Sequence, residues 1–158
     1  MKKLLFIISL IFLMFISPAF ADILNEDDID VVVAKLDGLS SFDPYSIFNK
    51  SEVIGNRRDQ FEMATNQYRA GVIAVKDHIN RNRQELYVIK DDQQMPEDVK
   101  AVQIGRIYQD INFAVSQLET ATYNYINNLR WFMPTLTYQH YYKGFLGYYQ
   151  GLNLKNYN

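Results

Sequence analysis

The chain is 158 residues long, 48% apolar, 22% charged and 15% aromatic, with a formal charge of −2 and no cysteine. This composition excludes a disordered tail, a collagen-like fibre and a disulfide-stapled miniprotein. The missing thiol also removes zinc ribbons, CxxC redox pairs, iron–sulfur sites and cysteine nucleophiles, leaving one domain with a core of ordinary size.

Lys2 and Lys3 form a short positive start, and thirteen apolar or small residues follow from Leu4 to Ile16. Ser17 and Pro18 break the run, and Ala19-Phe20-Ala21 puts small residues where a signal peptidase reads them. This layout predicts a secretory signal peptide over residues 1–21, cleaved after Ala21. A retained anchor fits less well, because thirteen residues at about 1.5 Å each reach only roughly 20 Å of a hydrocarbon core about 30 Å thick. The processed chain, 22–158, is expected to be one helical domain, periplasmic or secreted. Without Lys2 and Lys3 it carries 16 − 2 = 14 basic against 18 acidic residues, a net charge of −4. Without cysteine, it must be stabilised by packing alone in an oxidising compartment.

Residues 22–50 read as short N-terminal helices. Asn25 with Glu26, Asp27 and Asp28 makes a cap with acids in the first turn. Ile29, Val32, Val33 and Leu36 then recur at helical spacing, and Gly38 reads as the stop. Asp43-Pro44 is a second cap with proline at the first helical position, predicting one or two turns through Phe48.

A long helix is expected over 51–90. Ile54, Phe61, Tyr68, Val75 and Ile89 fall on a seven-residue period with Asn82 in the remaining slot, and Val72, Ile79 and Leu86 supply the second line of the seam. The polar stretch from Asp91 to Pro96 interrupts it. A second long helix follows over 96–133, with Ile104, Tyr108, Ile111, Val115, Leu118, Thr122, Tyr125, Leu129 and Phe132 in almost unbroken 3–4 alternation. Ile107, Ala114 and Ala121 widen that stripe to the breadth of a bundle core. The short connection makes the two helices antiparallel neighbours. The predicted fold is all-α: an elongated antiparallel hairpin or bundle of three to four helices, two of them long.

The C-terminal segment, 135–158, is Tyr-rich, and residues 131–158 contain Lys143 and Lys155 but no acid. Tyr138, Tyr141, Tyr142, Phe145, Tyr148 and Tyr149 are a candidate interaction surface, because tyrosine joins a rigid apolar body to a polar tip. The structural alternative is an aromatic plug closing the bundle. A second candidate is a basic stripe of Arg58, Arg69, Lys76 and Arg83, which lie within about 40° of one another at 100° per residue. Its structural alternative is pairing with the acidic N-terminal segment, through Asp27, Asp28 or Asp30.

Catalytic constellations are missing from the pattern. His78 and His140 belong to no HExxH or ExxH motif, and there is no GxSxG, phosphate loop or EF-hand spacing. No cofactor, metal or nucleic-acid partner is expected. The sequence therefore points to a non-enzymatic exported protein that works by contact with another protein of the envelope or outside the cell. The alternative is a membrane-surface or glycan-binding module using the aromatic segment. A hairpin of this kind can also complete its core with a second copy of itself.

Overall fold

The structure, a computed structural model, describes residues 26–154, with side chains from Asp28 onward. Residues 1–21, read above as a signal peptide, together with Asn25 and Lys155, lie outside these residues. The described chain is all-helical: α1 (Glu26–Ser41), α2 (Arg58–Asp91), α3 (Glu97–Leu129) and α4 (Thr135–Leu152), with single 3-10 turns at Pro44–Ser46, Lys50–Glu52 and Gly55–Arg57.

The two central helices have 34 and 33 residues, about 50 Å each at 1.5 Å per residue. Asp92 turns extended and accepts a hydrogen bond from the Gln94 N–H at 2.8 Å. Pro96 then opens α3, where Glu97 and Asp98 face the positive end of the helix dipole. The helices run antiparallel: Thr65 meets Tyr125, Tyr68 meets Thr122 and Asn82 meets Asp110.

α1 lies along one side of α2, with Asp30 on Arg83, Asp37 on Lys76 and the Phe42 carbonyl on Arg69. α4 returns beside it in the opposite sense. Thr137 bonds Glu52, Tyr141 packs on Phe48, Tyr148 stacks on Phe42, and the Lys35 ammonium reaches the Asn153 carbonyl. α1 and α4 thus cover one face of the hairpin.

Packing explains where local signals were overridden. Gly38 lies inside α1 instead of ending it, and the helix runs to Ser41. A Cβ at Gly38 would sit 3.3 Å from the Tyr148 hydroxyl, so the glycine admits α4. Residues 51–57 do not extend α2. Asn49 and Glu52 close a capping box around one 3-10 turn, and Val53 and Ile54 follow with extended ψ angles. That course buries Val53 and lets the Ile54 N–H bond the Phe132 carbonyl at 2.9 Å, leaving Ile54 itself exposed at the surface. The pair Asp43-Pro44 does cap a turn, with the Asp43 carboxylate accepting from the Tyr45 N–H.

The core runs from Ile29, Val32, Leu36 and Leu39 across Val72, Ile79 and Leu86 to Ile111, Val115, Ile126 and Leu129. Each such side chain contributes about 1.5–3 kcal/mol on full burial. Beneath the covering helices the core turns aromatic, with Phe145 touching the rings of Phe42, Tyr68, Tyr125, Tyr141 and Tyr148.

Candidate functional site

The opposite face of the hairpin has no covering helix among the described residues, and there the seam opens into a furrow of about 470 Å³. Ala64 and Gly71 on α2 and Ala121 on α3 form its walls, and Tyr68, Val75, Leu118 and Tyr125 its floor. The cause is steric. Small residues one heptad apart stand where long side chains would close the seam, and a Cβ at Gly71 would meet nothing within 4 Å.

Gln67, Gln117 and Asn128 edge the furrow with amides. None of its ten lining residues carries a charge, in a chain that is 22% charged. The tyrosines below keep the floor neutral. Burial pushes both the Tyr68 and Tyr125 phenols upward from their ordinary value. Their hydroxyls are also spoken for. Thr122 and Thr65 give their own hydrogens to the carbonyls four residues back, at Leu118 and Phe61. The tyrosines must therefore donate, Tyr68 to Thr122 at 2.8 Å and Tyr125 to Thr65 at 3.0 Å. Such a site offers apolar area and amide hydrogen bonds, with no group poised to move a proton at neutral pH.

The aromatic surface expected on the C-terminal segment is not one surface. Tyr141, Phe145 and Tyr149 are buried, so they belong to the core. They follow Thr137 at strict i+4 steps on the inward stripe of α4. Tyr148 is half-buried against Phe42, and Tyr138 and Tyr142 are half-buried beside one another with ring centroids 5.9 Å apart. Burial raises the Tyr149 phenol to about 12. The aromatic plug is what α4 forms.

The basic stripe is likewise used within the molecule. Arg83 pairs with Asp30, Lys76 with Asp37 at 2.6 Å, and the Arg69 guanidinium donates to the Phe42 carbonyl at 2.6 Å. Arg58 is half-buried near Tyr45 and Glu62. The four do not form one free cationic surface, because Asp30 and Asp37 of α1 pair with Arg83 and Lys76 and a carbonyl holds Arg69.

His78 binds across the hairpin, its Nε2 2.9 Å from Asp110, while His140 is exposed on α4. No group of three or more His, Asp or Glu side chains among the described residues is placed to hold a metal ion.

Sequence reasoning missed the furrow, though its signal was present. From its spacing Ala121 reads as core, and Gly71 falls within the long heptad helix. In the structure both are exposed and line the furrow. Compared with protein families, with curated proteins and with solved structures, the chain finds no match.

Proposed function

We propose that this is an exported, non-enzymatic helical protein that acts by contact with another protein, taking an uncharged apolar segment of that partner into the furrow between α2 and α3. The observation that carries the reading is the furrow itself: ten charge-free lining residues around small walls on the uncovered face of the hairpin. A ridge of Leu, Ile or Ala side chains on a partner helix suits such a groove, with the rim amides fixing its register. The Lys2-Lys3 start, the Leu4–Ile16 run and Ala19-Phe20-Ala21 support export. No helix of the described residues is long and apolar enough to cross a membrane.

Filling the furrow tests the proposal without adding charge. A photo-crosslinking residue at Gln67 or Gln117, introduced in the producing cell, should capture a discrete protein. Gly71→Leu with Ala121→Leu should abolish that capture while the fold is kept and melting does not fall. Capture that persists in the filled variant would sink the reading.

A further inference from the structure

Where α3 turns into α4, the bundle ends in three exposed apolar side chains: Ile54, Trp131 and Leu136, of which Leu136 is 80% exposed. They share one end of the molecule because the Ile54 N–H bonds the Phe132 carbonyl at 2.9 Å and Thr137 bonds Glu52 at 2.8 Å. Their charged neighbours are mostly basic. The Arg57 guanidinium donates to the Trp131 carbonyl, and the Arg130 guanidinium lies 4.7 Å from the centre of the Trp131 ring. Arg58 follows at the start of α2, with Asp59 beside it in the first turn and exposed His140 on α4. Glu52 is an exposed acid at this end, its carboxylate already accepting from the Asn49 N–H and the Thr137 hydroxyl. From Arg130 to Leu154 the chain has no acid at all.

Tryptophan and leucine at an exposed tip, edged by arginines, match the two layers of a bilayer surface. The rings and aliphatic groups sit at the acyl boundary, and the guanidinium groups meet phosphates. We infer that this corner is a peripheral contact site for an anionic phospholipid surface, independent of the furrow and of its protein partner. Charge complementarity selects the occupant. A neutral bilayer would gain nothing from Arg57 and Arg130, whereas each arginine near an anionic surface strengthens association about fivefold.

Trp131 is the chain's one tryptophan, so its emission reports on this corner alone. A retained leader would bring the chain to any vesicle, which makes Trp131 fluorescence of the full chain a better reading than sedimentation. Vesicles of phosphatidylcholine with phosphatidylglycerol should shift the emission to shorter wavelength, whereas phosphatidylcholine alone should not. Leu136→Glu should weaken the response on the order of tenfold, Arg130→Gln about fivefold, and Phe113→Glu, an exposed apolar site on α3, not at all. Circular dichroism checks that each variant is folded. An unshifted Trp131 with anionic vesicles, or an equal shift with neutral ones, would overturn the inference. So would a concentration-dependent shift without lipid, which would assign the corner to a second copy of the chain.

Discussion

The rings of Tyr68 and Tyr125 lie face to face across the hairpin, 4.4 Å apart and 4° from parallel, and each hydroxyl bonds a threonine on the opposite helix. The two long helices are thus locked at one register by a crossed pair of hydrogen bonds inside an aromatic core. Tyr141 extends the pattern, its hydroxyl 3.3 Å from that of Tyr125. A buried hydroxyl without a partner is costly, so the crossing makes slippage along the seam unfavourable.

Thr122→Val should expose that cost. It keeps the shape of the side chain but strands the Tyr68 hydroxyl, and urea denaturation should show a loss of about 1–3 kcal/mol. Adding Tyr68→Phe should recover part of the loss, because the stranded group is then gone.

Phe145→Ala should be far more damaging. The ring contacts five other aromatic rings, and removing a core phenylalanine costs about 3–5 kcal/mol. Loss of near-ultraviolet dichroism at moderate urea would register it. By the same reasoning a chain shortened before Thr135 should not hold the native fold.

Two glycines of α4 should respond differently to alanine. At Gly147 a Cβ would meet nothing within 4 Å, so Gly147→Ala should stabilise by up to about 1 kcal/mol through helix propensity. At Gly144 the added carbon would lie 3.0 Å from Ile47 Cγ2, and Gly144→Ala should gain less. Melting temperatures of the two variants decide the order.

Alkali should unfold the protein cooperatively. Burial raises the phenols of Tyr68 and Tyr141 and brings Tyr149 to about 12 from an ordinary 10.0. Above pH 10 the unfolded chain loses protons that the folded chain keeps. The stability these groups contribute is therefore complete below about pH 10 and is lost as pH climbs through the folded values. Phenolate absorbance at 295 nm should rise together with loss of helicity. Gradual ionisation at pH 10 with the fold intact would contradict this.

The hairpin was legible because heptad spacing is a long-range signal. Val72, Ile79, Leu86, Ile111, Val115 and Leu118 are all buried as their positions implied, and Asn82 is a buried polar residue bonded to Asp110 on the facing helix. What periodicity does not encode is which face a third or fourth helix will cover. Tyr149 therefore read as part of an interaction surface and Ala121 as core, whereas Tyr149 is buried and Ala121 exposed. The same gap hid Asp37 as the partner of Lys76, since 39 residues separate them. Ile54 misled for a local reason: its spacing suited the seam, but the capping box at Asn49 ended the turn before α2 could begin.

The contact between Lys35 and Asn153 spans 118 positions, and it bears on biogenesis. A nascent chain that has delivered only its first three helices holds Phe42 and Phe48 ready but lacks the rings of Phe145 and Tyr141 that pack on them. Maturation must wait for the last helix of the bundle. Until α4 emerges from the ribosome, the contacts of Phe42 with Phe145 and of Phe48 with Tyr141 cannot form.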